Sequence, residues 1–243
     1  MRRAWYWFVR AIVKWLFFKG TGGLTVKGMK NVPRNGPLVI APNHVSNLDP
    51  PVIACSIPRR ITFMSKREFF KGVFGKLIAS LGSFPVQRGE GDTEAIRTAI
   101  KLLEQGNAVL IFPEGTRGDG RTILPFNKGI AMLASRTGAP VLPVGIVGNQ
   151  QKWPKAKSKP GWGRVVVEFG ETLTYAEYAK GASERENREA FTQELSRRIL
   201  DLCRRNGMDL RSGGSDSSSQ TSDPDETAPE PQGQPRAGTQ IRR

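Results

Sequence analysis

Short apolar runs and amphipathic segments alternate along most of this chain, and no other feature of the sequence constrains its fold as much. Runs rich in β-branched and aliphatic residues, which are typical of buried strands, lie at 38–41, 108–112, 141–147 and 164–169. Pro37 is left out of the first run because proline has no N–H to donate to a sheet. The alternation predicts an α/β fold in which helices flank a mixed central sheet.

Helical patterns lie between these runs and after the last of them. One helix is predicted over 92–105, where four apolar side chains recur at helical spacing: Ile96, Ala99, Ile100 and Leu103. A second is predicted over 128–137, because a glycine, here Gly138, commonly follows the last residue of a helix. A last amphipathic helix is marked by Phe191, Leu195, Ile199 and Leu202. These helices are the expected covering layers of the sheet.

Residues 1–20 have the pattern of an interfacial helix that lies on a membrane. On a helix, the cations Arg3, Arg10 and Lys14 gather opposite an apolar, largely aromatic side: Trp5, Phe8, Val9, Ile12, Trp15 and Leu16. Aromatic rings suit the headgroup region, and cations suit anionic lipid. Because Arg10 and Lys14 interrupt the apolar run, we expect the helix to lie on the membrane rather than cross it. The alternative is a helix that packs on the protein's own core with its arginines in solvent.

The charge of the chain predicts an anionic partner. The formal net charge is +15, and residues 212–243 hold five acidic and three basic residues with almost no aliphatic ones. We expect this segment to be a disordered tail, which leaves the folded body, 21–211 with the preceding helix, even more basic. Such a body favours phospholipid headgroups, phosphorylated small molecules or nucleic acid as partners.

The cysteines and the N-terminus favour a reducing, cytoplasmic environment. Cys55 and Cys203 lie in apolar or helical stretches without the spacing of metal ligands. We therefore expect no disulfide framework and no zinc site. Residues 1–20 lack the small-residue cleavage site that follows the apolar core of a signal peptide.

The only histidine, His44, lies five residues before Asp49. Histidine is the side chain that most readily accepts a proton near neutral pH. Two residues at this spacing do not share a helix face, so the pair needs a turn of the chain between them. The sequence is consistent with such a turn, because the strand 38–41 ends just before His44. Asp49 then precedes two prolines, as the N-cap residue of a helix does. A turn between them would let the carboxylate hold one ring nitrogen while the other takes a proton from an alcohol. The alternative for Asp49 is a purely structural N-cap.

A second cluster of polar residues follows the strand predicted over 108–112. Residues 112–117 read Phe-Pro-Glu-Gly-Thr-Arg, which places Glu114 and Arg117 on a loop at the carboxyl end of a strand, where α/β sheets bind ligands. Glycine lets the backbone approach a ligand, and the guanidinium fork of arginine matches phosphate oxygens. The alternative is a turn with an ion pair between Glu114 and Arg117.

Together these motifs resemble those of the glycerolipid acyltransferase family. His44 to Asp49 is similar to the family's H-x4-D motif, and residues 112–117 are similar to its FPEGTR motif. The run 84–88, Phe-Pro-Val-Gln-Arg, resembles the second block of the family, and 139–144 resembles the fourth. The four blocks stand in the family's order and at its rough separations, which makes the resemblance specific.

The resemblance implies an enzyme with an acyltransferase domain over 21–211. It would transfer an acyl group from acyl-CoA or acyl carrier protein to the free hydroxyl of 1-acyl-sn-glycerol-3-phosphate, which forms phosphatidic acid in phospholipid biosynthesis. His44 would be the general base and Asp49 its orienting partner. The implied substrate-binding residues, for the acceptor's phosphate and glycerol hydroxyls, are Lys66, Arg88, Glu114, Gly115, Thr116 and Arg117. No cofactor or metal is implied, since the acyl thioester is a co-substrate.

The implied setting is the cytoplasmic face of the cell membrane, with the chain peripheral or monotopic. Its expected partners are the anionic membrane surface, the lysophospholipid acceptor and acyl-CoA or acyl carrier protein, and no nucleic acid.

Several alternatives stay open on sequence alone. Motifs shared by a whole family do not choose the acceptor, so another lysophospholipid, glycerol-3-phosphate or a different alcohol also fits. A basic body by itself also fits a non-enzymatic binder of nucleic acid or anionic membrane. A serine esterase and a P-loop enzyme are disfavoured, because the chain has neither a G-x-S-x-G elbow nor a G-x4-G-K-[ST] loop.

Overall fold

Strands within the described residues form two sheets. The computed structural model describes residues 3–15, 22–80, 82–86, 91–152, 161–181 and 183–212. In chain order the strands are β1 (Leu24–Lys27), β2 (Leu38–Pro42), β3 (Ile61–Lys66), β4 (Ser83–Val86), β5 (Ala108–Leu110), β6 (Thr122–Ile123), β7 (Val141–Val147), β8 (Val165–Phe169) and β9 (Arg211–Ser212). The main sheet has the order β1-β8-β7-β2-β5-β3-β4, and β6 pairs with β9. All neighbours in the main sheet are parallel except β7 and β8, so the predicted mixed sheet is confirmed.

Helices cover both faces of the main sheet. They are α1 (Arg3–Lys14), α2 (Asp49–Ser56), α3 (Gly72–Ser80), α4 (Gly91–Glu104), α5 (Gly129–Thr137), α6 (Asn149–Lys152) and α7 (Glu184–Arg205). Short 3-10 turns lie at Met29–Asn31, Arg67–Phe70 and Tyr175–Glu177. The helices predicted over 92–105 and 128–137 are α4 and α5, and Gly138 ends α5 in the left-handed conformation. The predicted last helix is α7.

The central strand β2 joins the two halves of the core. Leu38 and Ile40 pack on the face covered by α1 and α2, whereas Val39 and Ala41 pack on the face covered by α4, α5 and α7. All four side chains are fully buried. Burying one aliphatic side chain of this size contributes about 1.5–3 kcal/mol. The strand that leads to His44 is therefore held firmly from both sides.

The strand predicted over 108–112 is shorter than expected at its C-terminal end. β5 ends at Leu110, although the N–H of Ile111 still donates to Ile40 O at 2.9 Å. Pro113 has no N–H with which to continue the ladder, so the chain leaves the sheet here. Sequence patterns do not predict β1, β3 and β4, which are short or contain polar residues.

Helix α1 packs on the core with a different face from the one predicted. Tyr6, Val9 and Val13 are buried, and the Arg10 guanidinium lies 4.6 Å from the Trp7 ring and donates to Cys55 O at 3.0 Å. Placing Val9 on the free apolar side and Arg10 on a solvated side was therefore wrong. Apolar residues surround much of the helix, so periodicity alone does not fix its rotation. The opposite face is exposed and apolar: Trp5, Phe8, Ile12 and Trp15.

Parts of the predicted domain limits lie outside the described residues. Residues 16–21, which include Leu16, and residues 213–243 of the predicted tail are among them. Ser212, predicted to begin the tail, instead pairs with Ile123 as the last residue of β9.

Candidate active site

Two loops meet at the carboxyl edge of the main sheet. His44 follows β2, and the loop 112–117 follows β5; the two strands are parallel neighbours with Ile40 opposite Leu110. Parallel strands deliver the segments after them to the same edge, which is where open α/β sheets bind ligands. The two sequence motifs are therefore brought together as predicted.

The His44 ring is bound to a buried carboxylate. His44 Nδ1 lies 2.8 Å from Asp49 Oδ2, which also accepts hydrogen bonds from the N–H groups of Val45 at 2.7 Å and Ser46 at 2.8 Å. The Asp49 side chain is 0% exposed and that of His44 is 16% exposed. A carboxylate facing Nδ1 holds the proton on that nitrogen, which leaves Nε2 as the proton acceptor.

The structure corrects the N-cap prediction for Asp49. The residue before α2 is Leu48, and Asp49 is the first residue of the helix. Its carboxylate turns back to three residues earlier in the loop, His44, Val45 and Ser46, instead of accepting from the first turn of α2. The structural alternative, in which Asp49 only caps a helix, therefore does not describe its contacts.

Three further contacts hold His44 in place. Its ring stacks on Phe112, with 3.8 Å between ring centroids and 22° between the planes. Its carbonyl accepts a hydrogen bond from Gly118 N at 2.8 Å, and its N–H donates to Glu114 Oε1 at 2.8 Å. Sequence reasoning did not assign a role to Phe112 or Gly118. The position of Phe112 at the start of the FPEGTR motif was the available signal.

Glu114 joins the His44 loop to the loop that precedes α5. Its Oε1 accepts from His44 N, and its Oε2 accepts from Leu124 N at 3.0 Å. Burial raises the pKa of Glu114 to about 7, although the two amide donors act in the opposite direction. Among the described residues, Glu114 makes no ion pair with Arg117, so that alternative does not hold. This geometry favours a positioning role, while a contact with glycerol hydroxyls stays a prediction.

The raised pKa of Glu114 makes stability depend on pH. Between the ordinary value of 4.5 and about 7, the folded protein holds a proton that the unfolded chain releases. This stabilising contribution is complete below the ordinary pKa and is lost as the pH rises through about 7, by about 3 kcal/mol. Relative to wild type, Glu114→Gln should therefore gain about 3 kcal/mol in free energy of unfolding as the pH rises across this range.

Urea unfolding of both proteins at about pH 5 and about pH 8 measures this change. Glu171→Gln, at an exposed glutamate, is the matched control for removing a carboxyl group. A difference between wild type and Glu114→Gln that stays constant with pH, or that moves the other way, would show that Glu114 does not titrate as described.

The remaining predicted binding residues are only partly placed. Gly115 and Thr116 are exposed and Arg117 is half-buried, directly before Gly118, whose N–H donates to His44 O. Gly115 has φ +69°, a conformation that favours glycine. Lys66 is the last residue of β3, which pairs with β5 and ends at the same edge, but its side chain is not described. Arg88 lies outside the described residues, so its role stays a prediction.

Comparison with known proteins gives a family model and relatives that match a large part of the chain. A family model described as Acyltransferase matches residues 23–147. The 1-acyl-sn-glycerol-3-phosphate acyltransferase of Bacillus subtilis is 32% identical over 183 residues, which cover 74% of this chain and 88% of the relative. The lyso-ornithine lipid O-acyltransferase of Pseudomonas aeruginosa is 32% identical over 124 residues, 50% of this chain and 47% of the relative.

A solved structure shares the fold. The crystal structure of the 1-acyl-sn-glycerophosphate (LPA) acyltransferase PlsC from Thermotoga maritima superposes with a TM-score of 0.63 at 29% identity. The match covers 82% of this chain and 79% of that one. The stretch matched by the family model contains the His44–Asp49 pair and the loop 112–117.

Proposed function

This chain belongs to the acyltransferase family, and we propose that it acylates the free hydroxyl of 1-acyl-sn-glycerol-3-phosphate to form phosphatidic acid. The donor would be acyl-CoA or acyl carrier protein. The observation that carries the proposal is the contact between the partly exposed His44 ring and the buried Asp49 carboxylate at the carboxyl edge of the sheet. The Bacillus subtilis relative is named for this activity, and the match covers 88% of its length. This similarity supports the choice of acceptor.

The geometry supports direct transfer to the acceptor hydroxyl. Asp49 keeps the proton of the neutral imidazole on Nδ1, so Nε2 takes the proton of the hydroxyl as its oxygen attacks the thioester carbonyl. Collapse of the tetrahedral intermediate breaks the C–S bond, and the imidazolium returns the proton to the departing thiolate. The products are the new ester and the free thiol, without an acyl-enzyme intermediate and without a metal.

The acceptor's phosphate would be bound by arginine and lysine side chains. Arg117 lies on the loop that carries Glu114 and stands close to the His44 loop through the bond from Gly118 N to His44 O. Its guanidinium can bind two phosphate oxygens at once. Lys66 and Arg88 are the other cations that the sequence motifs propose for this role.

A panel of acceptors tests the proposed function. We expect 1-acyl-sn-glycerol-3-phosphate to be acylated with a kcat/KM at least about tenfold above that of 1-acylglycerol, which lacks the phosphate. Lyso-ornithine lipid belongs in the panel because a relative of similar identity is named for it. Preference for lyso-ornithine lipid, or equal use of the phosphate-free acceptor, would contradict the proposal.

Arg117→Ala in the same panel tests the phosphate contact. Loss of a charged hydrogen-bonding partner should raise the KM for 1-acyl-sn-glycerol-3-phosphate about 10- to 100-fold and leave the KM for the donor unchanged. Arg121→Ala, at an exposed arginine between the loop 112–117 and β6, is the matched control. An unchanged acceptor KM in Arg117→Ala would remove Arg117 from the phosphate site.

The exposed face of α1 supports association with a membrane surface. Trp5, Phe8, Ile12 and Trp15 form an apolar, aromatic patch on a basic protein, which suits the boundary between headgroups and acyl chains. The described part of the chain contains no helix with the length and apolar character needed to span a bilayer. A peripheral position at the cytoplasmic face of the membrane would bring the active site to its lipid acceptor.

A further inference from the structure

Asn149 contacts the catalytic pair from a part of the chain that lies beyond all four sequence motifs. It is the first residue of α6, directly after β7, and it follows the stretch matched by the family model. Its Nδ2 donates to Asp49 Oδ1 at 2.6 Å, across 100 residues of sequence. Both side chains are completely buried. The contact is therefore shielded from the competing hydrogen bonds of water.

The fold holds the two loops side by side so that this contact forms. β2 and β7 are parallel neighbours, with Pro42 opposite Val144. The Asn43 side chain then fastens the loop after β2 to β7: its Nδ2 donates to Ile146 O at 3.0 Å, and its Oδ1 accepts from Ile146 N at 2.7 Å. Asn149 consequently reaches Asp49 from a framework that is fixed by backbone hydrogen bonds.

Within the described part of the chain, the bond from Asn149 fixes the plane of the Asp49 carboxylate. His44 Nδ1, Val45 N and Ser46 N all bind Oδ2 and all come from Asp49's own loop. Contacts to one oxygen alone leave the carboxylate group free to turn about that oxygen. The bond from Asn149 to Oδ1 removes that freedom and supplies a fourth donor to the buried negative charge.

The other atom of the Asn149 amide argues against a merely structural role. Asn149 Oδ1 is buried and has no hydrogen-bond partner among the described residues. Leaving a buried acceptor without a partner costs free energy, and a leucine of similar volume would avoid that cost. An asparagine here is better explained by what its Nδ2 does for Asp49 than by its contribution to folding.

We propose that Asn149 is a positioning residue of the reaction, which holds the Asp49 carboxylate so that His44 keeps its proton on Nδ1 and presents Nε2 to the acceptor hydroxyl. This inference rests on the proposed function because it assigns Asn149 a part in the action of His44. Asn149 itself does not touch the substrates.

Replacing Asn149 tests the proposal through catalysis. We expect Asn149→Leu to lower kcat about 10- to 100-fold while both KM values change less than about twofold, as is typical for the loss of a partner that orients a reactive group. Gln150→Leu is the matched control: Gln150 Oε1 accepts from Gly148 N in the same turn but does not contact Asp49. Asn149→Ala, which removes the donor without adding volume, should lose activity to a similar extent and serves if the leucine variant does not fold.

The tautomer of the His44 ring distinguishes a positioning role of Asn149 from a purely structural one, because a purely structural role would leave the tautomer unchanged. Because His44 is the only histidine, ¹⁵N NMR of the chain with a tag free of histidine reports its tautomer without overlap. We expect wild type and Gln150→Leu to show the proton on Nδ1, and Asn149→Leu to show a mixture of the two tautomers. Unchanged ring signals together with a kcat within about twofold of wild type would overturn the proposal, as would equal losses of kcat in the Asn149 and Gln150 variants.

The NMR experiment needs no substrate, so the two proposals fail separately. A wild type that does not acylate 1-acyl-sn-glycerol-3-phosphate would refute the proposed function, whereas the tautomer comparison would still decide the role of Asn149.

Discussion

His44→Ala is expected to lower kcat about 10²- to 10⁴-fold, which is the range that a general base contributes. The ring nitrogen Nδ1 is bound to Asp49 at 2.8 Å, and the ring is partly exposed at the carboxyl edge of the sheet. No other histidine exists in the chain to replace it. The measurement is the rate of free thiol release from acyl-CoA with 1-acyl-sn-glycerol-3-phosphate in mixed micelles.

Two controls separate the loss of the base from a loss of structure. The variant should still unfold cooperatively in urea, with a midpoint lowered only by the loss of the ring's contacts to Asp49 and Phe112, because the backbone N–H and C=O of residue 44 keep their bonds to Glu114 and Gly118. The KM for the donor should also change little. A folded variant that retains more than about a tenth of the wild-type kcat would show that His44 is not the base.

Asp49→Asn is expected to reduce kcat about 10²- to 10⁴-fold, as His44→Ala does, because it removes the negative charge that stabilises the imidazolium during proton transfer. The free energy of unfolding of Asp49→Asn should fall much less than that of Asp49→Ala. Asn149 can turn its amide, so that its unpartnered Oδ1 accepts from the introduced amide group. The shape of the site would then survive while its charge is lost.

Asp49→Ala is the matched comparison. It leaves the buried N–H groups of Val45 and Ser46 without an acceptor, and we expect it to lower the free energy of unfolding by about 3 kcal/mol in addition to abolishing activity. Kinetics and urea unfolding of both variants measure the two effects. Wild-type turnover by Asp49→Asn would show that the carboxylate only shapes the loop.

The central part of the fold and the catalytic pair could be predicted from the sequence. The apolar run before His44 predicts β2, which extends one residue beyond the predicted end, to Pro42, and so places the imidazole just after a strand. The H-x4-D spacing then predicts a return of the carboxylate, and the 2.8 Å contact confirms it. Local signals were sufficient because the pair lies within one short loop.

Contacts between segments that are distant in sequence could not be predicted. Asn149 meets Asp49 only because β7 lies beside β2, and periodicity carries no information on the order of strands in a sheet. The amide contacts of Glu114 likewise depend on the return of the chain at Leu124. The rotation of α1 was missed for a related reason: it depends on which apolar stripe fits α2 and α3, and both sides of the helix are apolar.

The stoichiometry of the reaction tests the central claim most directly. Purified protein is given acyl-CoA with and without 1-acyl-sn-glycerol-3-phosphate, and free thiol and phosphatidic acid are measured in the same samples. We predict that the two products appear in equal amounts and only when the acceptor is present, because its hydroxyl is the nucleophile. Thiol release without the acceptor, or thiol release without phosphatidic acid, would contradict the assignment of His44 as a base acting on the acceptor hydroxyl.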